Sequence, residues 1–432
     1  MTRASTREMT VAEMIEAVLR PPLPVRFTGY DGSSTGPEDA TVTFHVVRPR
    51  AIRYALTAPG DLGLARAYLM GDITTEGVEP GNPYEAFGDL EKLKHCLRRP
   101  SASQARRMLA TVGVRNLRTP EIPETEADPM WKRTLKGLRP HSERADSETV
   151  SSHYDRSNAY YRLVLGPSMT YTCACFEDSS DSLEDAEWNK IRLVLDKLDL
   201  QPGQRLLDIG CGWGSVLVAA ARRGIKGIGV TLSAAQASYA NAWLQREGLD
   251  HLAEARVMDY REIPERDFDG ICSLGMMEHV GVRHYDEYFA KMFAMLRPGG
   301  RLLNHQITRR DARQGNRAGA FIDRYVFPDG ELASPGVVHR HLEDSGLEVV
   351  HEENLRQHYA WTLQHWCENL QEHWDEAVEA VGPQTPLLWG LYMAGSRWNF
   401  ERNNIQIHQF LAVRPTDDPK GHYYPQRPWW RA

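Results

Sequence analysis

The motif LLDIGCGWG at residues 206–214 constrains the fold of this 432-residue chain more strongly than its other patterns. It overlaps a short apolar run at residues 205–209, which predicts a strand, and it precedes a helical pattern at residues 215–223. Gly210 and Gly212 allow the backbone to turn tightly and to approach a ligand closely. A strand, a glycine turn and a helix in this order are typical of a nucleotide-binding α/β domain.

Strands and helices are predicted to alternate around this turn. Further strands are predicted at residues 227–231, 268–274 and 301–307, and helices at residues 188–200, with Ser182 as the N-cap, 233–247 and 284–296. Such alternation predicts an α/β fold of the Rossmann-like type, with a mostly parallel sheet and helices on both faces. Because ligands of these sheets bind beyond the carboxyl ends of the strands, the site residues are expected there.

The pattern is different on the N-terminal side of this region. Residues 1–118 predict a smaller α+β domain, with strands at 25–27 and 40–47 and helices at 51–58 and 62–70. That domain shows no polar constellation typical of catalysis, which favours a structural or docking role. Residues 119–149 are rich in charge and proline and predict a linker, so that residues 150–432 form the catalytic domain.

Composition narrows the classes of function and location. The formal net charge of −7 disfavours a nucleic-acid partner. No stretch approaches the roughly 18 apolar residues of a membrane span, and the N-terminus lacks the apolar core of a secretory signal. The six cysteines are sparse and form no CxxC pair, which is typical of reduced thiols. We therefore expect a cytoplasmic protein that holds no metal.

Asp208 indicates what kind of ligand the glycine turn binds. The turn is neither a GxGxxG motif nor a phosphate loop with GK[ST]. A carboxylate at the strand end suits a cationic ligand better than a pyrophosphate, and S-adenosylmethionine (SAM) carries a sulfonium and an ammonium. The second strand ends without the acid of a dinucleotide site, so Gln236 is the candidate ribose partner, and Asp259 and Tyr260 follow the third strand near an adenine. The alternative is a tight turn that binds no ligand.

Several segments together resemble one family. These are HYDRSNAYYRLVLGPSMTYTCACF (153–176), LLDIGCGWG, GVTLSAAQ (229–236), GMMEHVG (275–281) and LRQHYAWTL (355–363). Over about residues 150 to 410 the chain resembles cyclopropane-fatty-acid synthases and mycolic-acid methyltransferases. The N-terminal domain resembles the extra lipid-docking domain of longer members. FIDRYVFPDGEL (321–332), residues 351–375 and residues 390–409 look more like the long actinobacterial methyltransferases that make 10-methyl-branched acids of the tuberculostearate type.

The resemblance implies two sets of site residues. The SAM site comprises Tyr171, Thr172, Asp208, Gly210, Gly212, Gly214, Thr231, Leu232, Gln236, Asp259 and Tyr260. A bicarbonate site comprises Cys173, Glu278, His305, Ile307 and Tyr359, the first and fourth mainly through backbone atoms. One position departs from the family, because Ser396 stands where many members carry a cysteine. A covalent cysteine mechanism at that position is therefore not supported.

The implied chemistry takes place on a carbon–carbon double bond. An alkene attacks the SAM methyl only in near-attack geometry with water excluded, and a base must then remove a proton. Glu278 and His305, each predicted at or just beyond the carboxyl end of a strand, are with Tyr359 the candidates that hold bicarbonate as this base. Taken alone, Glu278 and His279 also suit the start of a helix, and His305 suits a core histidine with its hydrogen bonds satisfied.

The preferred function is methylation of an oleoyl chain of a membrane phospholipid to a 10-methylene chain. Cyclopropanation is the alternative, followed by methylation of a small molecule or protein, and by SAM binding without chemistry. A separate reductase is expected to act on the product. A lipid substrate and a chain without a membrane span predict a peripheral protein at the inner membrane face. Homo-oligomerisation is left open.

Three minor patterns complete these expectations. Residues 309–324 contain five arginines and are either a solvated insertion or a cover over an acyl tunnel that meets anionic headgroups. Cys173 and Cys175 are too closely spaced for a typical zinc pair. His339 and His341 are expected to face solvent on a helix.

Overall fold

The computed structural model describes residues 8–113, 118, 120–128, 157–178, 180–317, 319–418 and 430. The chain divides into two compact units, one of Met1–Ala127 and Leu370–Gly395, the other of Asp128–Asn369 and Ser396–Ala432. The first unit thus includes residues 370–395, which the sequence places in the catalytic domain. Residues 119 and 129–149 of the predicted linker lie outside the described residues.

Residues 8–113 form a small α+β arrangement. Its elements are α1 (Val11–Val18), β1 (Arg26–Gly29), β2 (Ser34–Thr35), β3 (Thr43–Val46), α2 (Arg50–Thr57), α3 (Asp61–Leu69), β4 (Ile73–Glu76), α4 (Tyr84–Cys96) and α5 (Ala102–Val112). The strands form one sheet in the order β2-β1-β3-β4, in which β1 and β3 are parallel. Buried apolar side chains of α1, α2 and α3, including Met14, Tyr54 and Ala67, form the core.

The start of the predicted linker is an ordered part of the first unit. The Arg66 guanidinium donates two hydrogen bonds to the Glu126 carboxylate, at 2.7 and 2.6 Å, and both residues are buried. The Tyr54 hydroxyl donates to the Glu121 carbonyl. A bidentate pair between buried charges is costly to break, because each charge would be left without its partner. Glu121 and Glu126, near the start of the predicted linker, are therefore held against α2 and α3 of the first unit.

The second unit contains the larger sheet. From residue 157 onward the elements are α6 (Asn158–Leu165), α7 (Leu183–Leu198), β5 (Arg205–Ile209), α8 (Ser215–Arg222), β6 (Lys226–Thr231), α9 (Ala234–Arg246), β7 (Ala253–Val257), β8 (Phe268–Leu274), α10 (Met277–Val280), α11 (Tyr285–Met295), β9 (Leu296–Arg309), α12 (Ala320–Tyr325), α13 (Pro335–Asp344), β10 (Glu348–Asn354), α14 (Arg356–Glu372), α15 (Trp374–Val381), α16 (Gln384–Glu401) and β11 (Ile405–Val413). Of these, α15, the end of α14 and most of α16 belong to the first unit. The sheet order is β10-β11-β9-β8-β5-β6-β7.

The sheet is parallel from β9 to β7, and β11 pairs antiparallel with both β9 and β10. The predicted mostly parallel α/β sheet is therefore confirmed. Ser182 caps α7, since its side chain accepts from the Asp185 N–H. The strand predicted at residues 301–307 is longer than expected because its pairing with β11 extends from Arg301 to Arg309.

The glycine turn between β5 and α8 serves two different purposes. Gly210, Gly212 and Gly214 have φ values of 74°, 52° and 91°, which side chains rarely adopt. A Cβ atom at Gly214 would lie 2.6 Å from the Cβ of Ala240 on α9, whereas one at Gly212 would meet nothing within 4 Å. Gly214 therefore allows α8 and α9 to pack closely. Gly212 leaves the turn open, and a Cβ at Gly210 would meet the Met276 side chain at 3.7 Å, an ordinary contact distance.

Candidate active site

A cavity lies at the carboxyl ends of β5, β6 and β8, where the fold predicts a ligand. Ten of the eleven residues predicted to bind SAM line it: Tyr171, Thr172, Asp208, Gly210, Gly212, Thr231, Leu232, Gln236, Asp259 and Tyr260. Gly214 is outside the lining, in agreement with its packing against Ala240. The structure thus brings together residues that are up to 89 positions apart in sequence, from Tyr171 to Tyr260.

Asp208 is a buried acidic group in the wall of this cavity. It is only 2% exposed, and the Cys272 thiol donates to its Oδ1 at 3.3 Å. Burial raises the pKa of Asp208 to about 6, against the opposing effects of the Cys272 hydrogen bond and the Lys190 ammonium. A cation bound in the cavity would stabilise the carboxylate, because burial makes an unpaired negative charge costly.

Lys190 is a cavity residue that sequence reasoning missed. It lies on α7, is 1% exposed and lines the cavity together with Asp208. Burial lowers the pKa of Lys190 to about 8, although the neighbouring Glu187 carboxylate opposes this shift. The available signal was its place in the helical repeat, since Lys190 follows the buried Glu187 by three residues and precedes the buried Ile191.

Thr231 and Gln236 form a locally ordered rim. The Thr231 hydroxyl donates to Oε1 of Gln236 at 2.7 Å, and the Gln236 N–H donates to Oγ of Ser233 at 3.2 Å. The Ser233 N–H in turn donates to the Thr231 hydroxyl at 3.2 Å. The orientation of the Gln236 amide is therefore set by residues at the end of the preceding strand.

Asp259 lines the cavity but already has a partner. Its carboxylate accepts from the Arg261 guanidinium at 2.8 and 2.6 Å and from the Arg261 N–H at 2.8 Å. Arg261 also lines the cavity and lies over the Tyr260 ring at 5.4 Å, although the sequence did not single it out. An adenine at this end would therefore meet an Asp–Arg pair and an aromatic ring.

Glu278 and His305 are two buried polar residues near the cavity. Oε1 of Glu278 accepts from the Ile307 N–H at 2.6 Å. Within the described part of the chain, Oε2 of Glu278 and both ring nitrogens of His305 are buried without a hydrogen-bond partner. Such groups are uncommon in folded proteins and often mark the place of a small polar ligand.

Burial also decides the charge of these two groups. It raises the pKa of Glu278 to about 7, and the Ile307 N–H opposes this shift by stabilising the carboxylate. Burial lowers the pKa of His305 well below its usual value, and the Lys190 and Lys197 ammonium groups lower it further. His305 is therefore a neutral imidazole near pH 7, whereas Glu278 is divided between its two forms.

The position of His305 corrects one expectation. It lies inside β9, four residues before that strand ends, rather than at or beyond its carboxyl end. The reason is the long pairing of β9 with β11, which continues to Arg309. His305 is nevertheless level with Leu274, the last residue of β8, and Glu278 follows β8 on the one-turn helix α10 as expected.

Cys173 and Tyr359 belong to two segments that are held together. The Cys173 thiol is buried and lies 3.1 Å from the Ala174 carbonyl and 3.8 Å from the Leu355 carbonyl. Burial raises the pKa of Cys173 well above its usual value, so the thiol is neutral. The Ala174 N–H donates to the Thr362 hydroxyl at 3.0 Å, on α14, which also carries the buried Tyr359.

His341 does not face solvent, contrary to the sequence-based expectation. It is buried on α13, where its Nδ1 lies 2.5 Å from a carboxylate oxygen of Asp286 and its ring contacts Tyr285. His339, on the same helix, is half-buried and lies 3.6 Å from Glu343. The difference follows from helix periodicity, because residues 338, 341 and 342 share the face that packs on the core.

Two features of the described residues concern metals and membranes. No three His, Cys, Asp or Glu side chains in the described ranges are grouped so that they would hold a metal ion. Of the helices in those ranges, none has the length and apolar character needed to cross a bilayer.

Comparisons with known proteins show what this chain is similar to in sequence. The family model of mycolic acid cyclopropane synthetase matches residues 141–410. A probable fatty acid methyltransferase Rv3720 of Mycobacterium tuberculosis is 49% identical over 429 residues, which cover 99% of this chain and 100% of that protein. A probable fatty acid methyltransferase of Pseudomonas putida is 43% identical over 298 residues, 68% of this chain and 75% of that one.

Solved structures show the same similarity. The cyclopropane synthase MmaA2 from Mycobacterium tuberculosis matches with a TM-score of 0.57 and 33% identity, over 62% of this chain and 98% of that one. The mycolic acid cyclopropane synthase CmaA1, complexed with SAH and CTAB, matches with a TM-score of 0.58 and 30% identity, over 64% of this chain and 99% of that one.

Proposed function

The chain belongs to the mycolic acid cyclopropane synthetase family, and from this premise we propose that it transfers a methyl group from SAM to the double bond of an unsaturated acyl chain in a membrane phospholipid. The relatives are named fatty acid methyltransferases and cyclopropane mycolic acid synthases. These names support SAM-dependent methylation of a fatty-acid chain, and we propose that this fatty-acid chain is part of a membrane phospholipid.

The single observation that carries the proposal is that a set of residues suited to a cationic nucleotide lies next to a pair of buried polar residues. Asp208 and the open turn at Gly210 and Gly212 suit a cationic nucleotide. Next to them, Glu278 and His305 present buried polar atoms that have no partner within the described residues. Alkylation of an alkene leaves a carbocation whose proton a base must remove beside an apolar acyl chain, and buried polar atoms that can hold a small base suit this step.

The residues of the chain have distinct roles in this reaction. When bound, SAM supplies the methyl group. Asp208 binds the positive charge of SAM, and the tight turn brings the backbone close to it. Methylation leaves a positive charge on the acyl chain, and a base must then accept a proton. Glu278 and the neutral His305 have the free hydrogen-bonding capacity to hold bicarbonate as that base, with Tyr359 as a third partner.

One backbone position expected to hold bicarbonate is already engaged. The Ile307 N–H donates to Glu278 at 2.6 Å, so it is not free for a second acceptor in the same arrangement. In this proposal bicarbonate is therefore bound mainly by the side chains of Glu278 and His305. The Ile307 N–H instead orients the Glu278 carboxylate.

For the product we favour a 10-methylene chain derived from oleoyl phospholipid. The support is the resemblance of residues 321–332, 351–375 and 390–409 to the long 10-methyl type, together with the full-length similarity to a probable fatty acid methyltransferase. Cyclopropanation is the second candidate. Transfer of the methyl group to carbon 10 leaves SAH and a cation on carbon 9, which closes a cyclopropane if the base removes a proton from the new methyl group at once. The 10-methylene product requires a hydride to move first from carbon 10 to carbon 9, after which the base removes the methyl proton. The position of the base relative to the cation therefore bears on which product forms.

The experiment is methyl transfer from labelled SAM to vesicles of oleoyl phospholipid. We expect label in the lipid fraction and, by gas chromatography–mass spectrometry, an exocyclic 10-methylene acid. A cyclopropane acid without any methylene would replace the preferred product with the second candidate. Label that enters only a small molecule or a protein would overturn the lipid substrate itself.

Membrane contact is proposed through the arginine-rich segment. Arg310, Arg313 and Arg317 are exposed, and the next residues form α12, whose Phe321 and Ile322 are half-buried. Basic side chains beside apolar ones suit an anionic lipid surface. The protein would then work as a peripheral protein at the inner membrane face, and a separate reductase would consume the methylene product.

A further inference from the structure

The segment of Glu331, Leu332 and Ala333 joins the two elements on which the candidate base depends. The Glu331 N–H donates to the Glu278 carbonyl at 3.1 Å. The Ala333 carbonyl accepts from the Arg309 N–H at 2.8 Å, at the end of the strand that carries Ile307. We call residues 331–333 the strap, because they connect α10 to the end of β9.

The strap is itself fixed from its other side. The Leu332 N–H donates to the Asn316 carbonyl at 2.8 Å, and Glu331 forms an antiparallel bridge with Arg317. The Gly330 N–H donates to the Phe327 carbonyl at 2.9 Å, and the Phe327 ring packs edge-on against His279 at 5.2 Å. The strap is therefore a hydrogen-bonded structure rather than a free loop.

Glu331 makes a second contact with the same turn through its side chain. Its Oε2 accepts from the Val282 N–H at 2.9 Å, just beyond the end of α10. That helix has only four residues and no side-chain N-cap. A single helical turn is not stable by itself, because few hydrogen bonds offset the fixed backbone. Glu331 holds it at two points, through the Glu278 carbonyl and the Val282 N–H.

We propose that Glu331 is a positioning residue for the proposed reaction, which holds the Glu278 turn so that the Glu278 carboxylate stays on the Ile307 N–H. This inference rests on the proposed function, in which Glu278 is part of the base site. Glu331 does not touch the reacting atoms. It acts by keeping α10 and β9 in register, and the contact that depends on this register is the 2.6 Å hydrogen bond from Ile307.

The proposal has a consequence for titration. The Ile307 hydrogen bond stabilises the charged form of Glu278, so its loss raises the pKa of Glu278 above the value of about 7 that burial already produces. The phenols of Tyr285 and Tyr288 on α11 interact electrostatically with Glu278, and Tyr285 also with Glu331; burial raises the pKa of each phenol, so both remain neutral. Activity that requires ionised Glu278 would therefore begin at a higher pH.

Two conservative variants separate the hydrogen bond from the charge. Glu331→Asp keeps the charge but shortens the side chain, so it loses the reach to Val282. Glu331→Gln loses the charge but keeps an oxygen that accepts from the Val282 N–H. We expect Glu331→Asp to lower kcat at least ~10-fold with an unchanged KM for SAM, and Glu331→Gln to stay within about 3-fold of the wild type. The acid limb of the pH profile should move to higher pH in Glu331→Asp alone.

The reverse pattern, with Glu331→Gln impaired and Glu331→Asp normal, would overturn the proposal, because the charge rather than the contact would then matter. Equal activity and equal pH profiles of both variants and the wild type would also overturn it.

Hydrogen exchange of the full-length protein gives a readout that needs no substrate. The peptides that contain Val282 and Ile307 should exchange faster in Glu331→Asp than in the wild type, and at the wild-type rate in Glu331→Gln. If exchange is unchanged in Glu331→Asp, Glu331 does not position the Glu278 turn, whichever substrate the enzyme methylates. Faster exchange, together with a wild-type protein that labels no lipid, would uphold the positioning role and reject the proposed function.

Discussion

The nucleotide cavity and the base site next to it, here called the two sides of the site, are organised in different ways. On the nucleotide side, Thr231 pairs with Gln236 five residues away and Asp259 with Arg261 two residues away, although Asp208 meets Cys272 across 64 residues. On the base side, Glu278 meets Ile307 across 29 residues, and Ala174 meets Thr362 across 188. The nucleotide side thus combines local pairs with a long-range contact at Asp208, whereas both contacts named on the base side depend on tertiary packing.

The difference also has an energetic side. Three buried polar atoms of Glu278 and His305 have no hydrogen-bond partner among the described residues, against one, Oδ2 of Asp208, among the residues that line the cavity. Buried polar groups of this kind cost free energy unless water or a ligand satisfies them. The base site is therefore suited to hold a small polar ligand, and substitutions there should affect turnover more than SAM binding.

The largest expected effect is on turnover, from Glu278→Gln. This variant removes the charge of the base site but keeps the hydrogen-bonding oxygen. We expect kcat to fall by about 10³-fold, with SAM affinity unchanged in calorimetry, because Glu278 does not line the cavity. Glu343→Gln, an exposed glutamate on α13, is the matched control and should retain full turnover. A comparable loss of SAM affinity in Glu278→Gln would show that Glu278 contributes to SAM binding as well as to turnover.

Gly210→Val is expected to weaken SAM binding. A branched side chain is strained at φ 74° and obstructs the open turn, so SAM affinity should fall by about 100-fold, or ~2.7 kcal/mol. Gly248→Val is the control, since Gly248 has a similar φ of 68° and an added Cβ there meets nothing within 4 Å. If a folded Gly210→Val protein binds SAM as the wild type does, the turn is not the nucleotide site.

The smallest effect is expected from Arg313→Gln, because the exposed Arg313 belongs neither to the nucleotide side nor to the base side. Loss of one positive charge near an anionic membrane weakens binding by about 1 kcal/mol, or roughly 5-fold. Arg313→Gln should therefore co-sediment less with anionic vesicles at low salt, and high salt should diminish the difference. Lys226→Gln removes the same charge at the amino end of β6 and should bind vesicles normally. If neither salt nor Arg313→Gln affects vesicle binding, the arginine-rich segment does not contact the membrane.

Much of the nucleotide side could be predicted from the sequence. Strand β5 was predicted with its observed bounds, and the glycine turn and the residues after β6 and β7 lie at the cavity as their order implies. Lys190 and Arg261 were missed, because a lysine on a helix or an arginine in a loop is usually solvated. Their places beside Asp208 and Asp259 depend on how α7 and the turn after β7 pack.

The sequence by itself determined the alternation of strands and helices, the open glycine turn and the candidates for both sites. These features follow from hydrophobic periodicity and backbone conformation, which act over a few residues. Only the tertiary structure decided that His305 lies within β9, that Gly214 serves packing, and that Glu331 holds the turn of Glu278. Such contacts join segments far apart in the chain, and their geometry depends on strand register and on which helix faces pack together.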